Sequence, residues 1–372
     1  MRLARTGFLL VPLLVLGALA LPIGGASKLG AHPALLIATL IVAAACAGAA
    51  LLSRASAVLG LLGAGLGCAV TLALLADPGV AGNAGTGFWS LVLAAWLAAA
   101  LAVTQLSALR PHDKTLRRLN DIAIPLLFGA FVIYLWEMAV RGFGVPSVLM
   151  PAPSATAARF AASLSVLGED LVQTFVRGVL SGYAIGCGAG FLVAVVAHRY
   201  GFLARGLLPL GNFVSALPIV GIAPIMVMWF GFDWPSKTAV VAVVTFFPML
   251  VNALAGLDAA GAMERDLMRS YAARPTQTLT KLHLPAALPF VFNALKINST
   301  LALIGAIVAE FFGTPTLGIG FRISTEVGRM ALDMVWAEIA LSAIAGMAFY
   351  GAVALAERAT TFWHPSLRSS LG

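Results

Sequence analysis

Residues 175–197 read Phe175-Val-Arg-Gly-Val-Leu-Ser-Gly-Tyr-Ala-Ile-Gly-Cys-Gly-Ala-Gly-Phe-Leu-Val-Ala-Val-Val-Ala197, with one charge, Arg177, within a turn of one end. At a rise of about 1.5 Å per residue, this run makes about 34 Å of helix, enough to cross a hydrocarbon core of about 30 Å. Gly178, Gly182, Gly186 and Gly190 recur every fourth residue. They leave one helix face without side chains, which lets a second helix approach closely. Gly186-Cys-Gly188-Ala-Gly190 superficially resembles a phosphate-binding loop, but it lies mid-span with no strand before it. The stretch reads as a packed membrane helix.

The same reading extends along the chain. Of 372 residues, 60% are hydrophobic and 10% are charged. A soluble domain carries roughly 25% charge, so this chain lacks the polar surface to dissolve. Disorder, a coiled coil and a soluble nucleic-acid binder are excluded. The apolar residues come in long runs rather than alternating, which argues against a β-barrel. Ten runs are predicted as spans: 8–21, 34–52, 57–76, 88–109, 122–140, 175–197, 207–230, 239–257, 286–312 and 335–355. The first is short, with Arg2 and Arg5 before it and Ala18-Leu19-Ala20 near its end, features it shares with a cleaved signal peptide. A retained helix is preferred, because polytopic proteins usually keep their first span. The fold class is therefore all-α and polytopic, with about ten transmembrane helices.

Charge sets the sidedness. With the N-terminus inside, fifteen of the 23 basic residues fall in cytoplasmic segments, six fall outside, and Arg177 and Lys296 lie within spans. Positive residues mark the cytoplasmic side, so both termini are expected there. The same rule accounts for the net charge of +8 without any nucleic acid. Lys296 is expected near the inner interface, because a charge at the bilayer centre costs at least ~2.5 kcal/mol. Residues 110–118 form the densest basic segment and divide the chain. Residues 1–118 hold four spans almost without polar groups, and residues 119–372 carry Asn, Ser, Thr, Pro and occasional charges. Intramembrane polar groups face a bundle or a cavity, so the second part is the expected working half.

Cys46, Cys68 and Cys187 lie in apolar runs and offer neither a disulfide framework nor zinc spacing. His32, His112, His198, His283 and His364 are scattered singly near span ends, so no metal site is expected. The path of a solute would use Asn212, Ser215, Pro218, Asn252, Asn298 and Ser299, because proline frees backbone carbonyls that only protein or a cavity satisfies. Interhelical hydrogen bonding explains these polar groups equally well. Glu310 ends its span at the outer side, as a gate or rim residue or, preferably, as a solvated helix end.

The segment 258–285 is the longest cytoplasmic loop. Helical periodicity runs from Met263 to Arg274, with Leu267, Met268, Tyr271 and Ala272 on one stripe and Arg265 and Arg269 on the other side. Pro275 is expected to end this helix. Such a protrusion suits a groove in a partner; an interfacial helix on the headgroups is the plainer reading.

Asp266-Leu-Met-Arg-Ser-Tyr-Ala-Ala273, followed by Leu284-Pro285 and Pro289, resembles the EAA loop of permeases from binding-protein-dependent ABC importers. Leu149-Met-Pro-Ala-Pro-Ser154, Ala216-Leu-Pro-Ile219, Trp229-Phe-Gly231, Phe247-Pro248 and Val308-Ala-Glu-Phe311 are similar to its sulfonate, taurine and nitrate branch. The resemblance covers residues 122–358. It implies a type I permease core of six helices, about 170–358 at its centre, behind a four-helix extension. It also implies that Asp266, Leu267, Met268, Tyr271, Ala272, Ala273, Leu284 and Pro285 couple to a separate cytoplasmic ATPase. Further implied partners are a second permease copy or paralogue and a periplasmic solute-binding protein, in a bacterial inner membrane. Asp266 stands where the family has Glu, Leu267 and Met268 replace two alanines, Ala272 replaces a glycine, and His283 replaces a β-branched residue. No G-x-x-x-x-G-K-[ST] segment is present, so ATP is left to the partner and the chain itself is expected to be neither an enzyme nor a cofactor binder. A secondary transporter driven by an ion gradient would instead show inverted repeats and paired intramembrane carboxylates, and a membrane enzyme a cluster of His, Asp or Glu.

Overall fold

A computed structural model describes residues 7–25, 27–51, 56–109, 113–215, 217–313 and 316–363. Apart from a two-stranded hairpin, β1 (Pro22–Gly24) and β2 (Ser27–Lys28), the regular structure described is helical. Eight helices are long and apolar enough to cross a membrane: α2 (Pro33–Leu51), α3 (Ser56–Leu74), α4 (Thr86–Ala108), α5 (Lys114–Gly142), α7 (Leu164–Arg199), α10 (Trp234–Asp258), α12 (Pro275–Gly313) and α14 (Leu332–Thr360). Between them lie the shorter α1 (Leu10–Ala20), α6 (Pro153–Ala162), α8 (Gly201–Ser215), α9 (Ile219–Phe230), α11 (Ala262–Ser270) and α13 (Ile319–Gly328).

Two of the ten expected spans differ. The first is α1, eleven residues long. At ~1.5 Å per residue it is about half the hydrocarbon thickness. The run 207–230 is two helices, α8 and α9, rather than one. Pro218 has extended backbone (φ −67°, ψ 124°) and caps α9. A proline donates no hydrogen bond and pushes the residue before it out of the helical region, so the helix breaks there.

Two compact units are present, Met1–Ala158 and Arg159–Gly372. In the first, α1–α5 surround a core of Phe8, Val11, Val42, Leu74, Phe88 and Met138. Helix α5 packs here through Tyr134, whose hydroxyl bonds Thr71 Oγ1 at 2.8 Å. Composition grouped this helix with the second half of the chain. Glu137, buried on α5, accepts from Ser154 N at 2.9 Å and Ser154 Oγ at 2.7 Å. It thereby satisfies one of the orphan backbone donors at the start of α6.

In the second unit α10 is central, packed against α7 on one side and α12 on the other. The glycine row of α7 makes this possible. A Cβ on Gly182 would stand 2.5 Å from Val241 Cβ, and one on Gly190 2.5 Å from Phe246 O. Asn298 of α12 donates to Thr245 O of α10 at 2.7 Å and to Cys187 Sγ of α7 at 3.1 Å. Three helices meet at one buried amide.

Candidate functional site

The loop predicted to couple to a partner is built from α11 and the start of α12. Glu264 in the first turn of α11 and Arg269 in its last complement the helix dipole. The helix ends at Ser270, short of the expected Arg274. Ala273 N bonds Met268 O at 3.0 Å and Ala272 N bonds Arg269 O at 2.9 Å, the paired bonds of a Schellman motif. That motif needs a left-handed residue, and Ala272 supplies it at φ +50°. The position where the resembling family has glycine is thus a backbone requirement, met here by alanine at a cost of ~1–2 kcal/mol. Pro275 does not end α11 but opens α12 at its first turn, with Arg274 N held by Gln277 Oε1 at 2.8 Å.

Met263, Leu267 and Tyr271 project into open space in one i, i+4, i+8 row, 83%, 55% and 79% exposed. Asp266, Ala272 and Ala273 stand beside this row; Ala272 is exposed and Ala273 half-buried. Met268 leaves the expected stripe. It turns with Arg265 and Arg269 towards the ends of α7 and α12, where they line a cavity of about 520 Å³. Leu284 and Pro285 are half-buried within α12, just after a π-helical stretch at Leu279–His283. A histidine cluster roots the loop. His198 Nδ1 and Asp258 Oδ1 are 2.9 Å apart, His283 Nδ1 lies 2.7 Å from Leu257 O, and the two rings meet edge-on at 4.5 Å. These histidines are 85 positions apart in sequence and read there as isolated.

At the opposite end of α7 and α12 lies a buried polar network. Gly318 N bonds Asp170 Oδ1, Ile319 N bonds Thr174 Oγ1, and Gly320 N bonds Glu310 Oε2, at 2.7, 2.8 and 2.7 Å. Residues of α7 and α12 therefore cap the N-terminus of α13, whose first N–H groups have no helical partner. Gly318 has φ +128°, and a Cβ on Gly320 would stand 2.9 Å from Glu310 Cβ. Thr174 Oγ1 also bonds Glu310 Oε1 at 2.8 Å. Glu310 is 2% exposed, so the preferred reading of a solvated helix end is corrected. The long range of its partners in sequence explains the error: Thr174 is 136 positions away. Arg322 bonds Asp170 Oδ2 at 2.7 Å, and this bond raises its guanidinium pKa further. Glu338 is buried against Asp170 and Arg322.

The remaining polar candidates separate. Asn298 and Ser299 are fully buried, Asn298 across helices and Ser299 on Lys296 O at 2.7 Å. Asn252 is half-buried, bonded to Pro248 O at 2.8 Å and met by Asn293 Nδ2 at 3.4 Å. Pro218 is exposed at the α8–α9 break. The side chains of Asn212 and Ser215 lie outside the described residues. Lys296 pairs with Glu357 at 2.8 Å, close to the end of α14. Among the described residues no group of three His, Cys, Asp or Glu is arranged to hold a metal ion.

Residues 186–368 match the family model described as the binding-protein-dependent transport system inner membrane component. The chain is 29% identical to a putative aliphatic sulfonates transport permease of Bacillus subtilis, over 65% of this chain and 87% of that protein. It is 26% identical to the riboflavin transport system permease of Chloroflexus aurantiacus, over 72% and 98%. It is 28% identical to the formylaminopyrimidine transport permease of Halalkalibacterium halodurans, over 64% and 95%.

Proposed function

Because residues 186–368 belong to the inner-membrane component family of binding-protein-dependent transport systems, we propose that α11 and the first turns of α12 are the element through which a cytoplasmic ATPase drives this permease. The chain is a multi-pass ABC importer permease and not itself a catalyst; ATP binding and hydrolysis belong to its ATPase partner, and solute delivery to a binding protein. The observation that carries the coupling reading is the exposed row Met263, Leu267 and Tyr271, ending on left-handed Ala272. An apolar helix face held away from the membrane helices costs solvation unless a partner covers it.

In this reading the chain crosses ten times. Helix α1 and the broken pair α8–α9 add one crossing each to the eight long helices, four forming an extension and six the core, with both termini cytoplasmic. A second copy or a paralogue completes the pathway. The solute passes the break at Asn212, Ser215 and Pro218 and the half-buried Asn252, while Asn298 and Glu310 hold the walls by their interhelical bonds and Ser299 is bonded within its own helix. The relatives' names specify sulfonates, riboflavin and formylaminopyrimidine. A small organic or inorganic solute of the sulfonate, taurine or nitrate kind, or a pyrimidine or vitamin precursor, fits that range.

Ala272→Glu tests the coupling element. Both residues occupy the same left-handed position, so backbone strain changes little, but the longer side chain would bring steric overlap and a buried unpaired charge costing several kcal/mol at a docked surface. The variant is expected to insert normally, lose its ATPase on co-purification and stop uptake. Thr280→Ala, which removes an exposed hydroxyl bonded only within its own helix, is expected to do neither. Retention of the ATPase with full uptake by Ala272→Glu would refute the coupling role.

A further inference from the structure

The cavity behind α11 is distinct from the row that faces a coupling partner. It measures about 520 Å³, within the roughly 300–1,000 Å³ of small-molecule sites. Its cationic wall holds Arg199, Arg265 and Arg269, with the hydroxyls of Thr276 and Thr278 nearby. Arg269 is engaged by Asp266 at 3.3 Å, and His198 by Asp258. Arg199 and Arg265 have no carboxylate partner among the described residues. Two arginines without a carboxylate partner among the described residues therefore share this concave surface.

The other wall is apolar. Val195, Val196, Met268 and Leu279 line it. Val196 and, one turn deeper into the span, Leu192 are 49% and 65% exposed, and they lie on one face of α7. This track leads from the arginines towards the hydrocarbon, with exposed Tyr200 at the boundary, where aromatic residues mark the interface. A free anion would use the arginines and leave the track idle. A phospholipid uses both, and basic pockets between membrane helices on the cytoplasmic side suit anionic headgroups.

We propose that this cavity holds the phosphate of an anionic phospholipid, its acyl chain lying along Val196 and Leu192, so that the lipid ties α11 to the end of α7. The proposal rests on the reading above only for which leaflet supplies the lipid. The test uses the purified full chain without its ATPase, so its outcome is separate from that of the docking experiment. Native mass spectrometry in mixed micelles would compare retained phosphatidylglycerol with phosphatidylcholine at equal mole fraction. Wild type is expected to retain phosphatidylglycerol preferentially. Arg199→Gln with Arg265→Gln should lower that preference about thirtyfold, about fivefold for each charge removed near a membrane surface. The paired Arg199→Lys and Arg265→Lys variant keeps the charge and should keep the preference, which separates loss of the site from loss of the fold. Equal retention of the two lipids by wild type, or an unchanged preference in the glutamine pair, would overturn the proposal. So would displacement of phosphatidylglycerol by millimolar inorganic phosphate, which would make the occupant a soluble anion.

Discussion

Two glycines on one helix should respond in opposite directions to the same methyl group. At Gly186 a Cβ would lie 2.9 Å from Ala242 Cα and closer still to Ala242 O and Thr245 Oγ1. A carbonyl within α10 cannot move without its helix. Thr245 is also fully buried, and its own carbonyl holds Asn298 of α12, so displacement at Gly186 spreads to a third helix. Overpacking of this kind costs typically ~1–3 kcal/mol, against which alanine returns up to ~1 kcal/mol of helix propensity. Gly186→Ala should therefore destabilise by roughly 1–2 kcal/mol. At Gly188 nothing lies within 4 Å of the added atom. Gly188→Ala should stabilise by about 0.5–1 kcal/mol, from backbone entropy alone. The assay is denaturant unfolding of the full chain in detergent, followed by circular dichroism. A Gly186→Ala protein as stable as Gly188→Ala would refute the close α7–α10 packing.

Other outcomes follow from the loop and the network. Ala272→Gly should relieve the left-handed strain by ~1 kcal/mol and slow hydrogen exchange of the Ala272 and Ala273 amides about fivefold; unchanged exchange would remove the strain argument. Glu310→Ala should leave the Gly320 amide without its buried acceptor, at about 1–3 kcal/mol, seen as faster exchange at 318–322 with the exchange of α11 unaffected. Reporter fusions after Arg118 and near Arg274 should read cytoplasmic, and those at Gly82 and Gly231 external; a cytoplasmic signal at Gly82 would contradict the proposed topology.

What was legible in the chain was periodic or local. Span-length apolar runs report burial in a membrane, because every backbone group there must be bonded within its own helix. A glycine every fourth residue on α7 reports a contact face, because helical geometry alone puts those positions in register. The segment proposed to dock stood out because its acidic residue, small residues and Leu284-Pro285 lie within one short stretch. Local backbone geometry was harder to read. Ala272 carries no mark of a left-handed conformation, and Pro275 fits the end of one helix as well as the start of the next.

The network at Asp170, Thr174, Glu310 and Arg322 and the histidine pair His198–His283 were decided only by the tertiary structure. Each depends on residues from different helices meeting at the same depth, and that depth is set by how α7 and α12 pack against α10. Sequence spacing constrains a side chain's direction on its own helix, but not what stands opposite it. Glu310 thus read as a solvated end and folded as a buried cap. The composition of this chain fixed that it crosses a membrane many times, because hydrophobicity accumulates residue by residue. The identity of each polar group's partner was left to packing, because a hydrogen bond requires two atoms within about 3 Å, and only the folded chain brings them there.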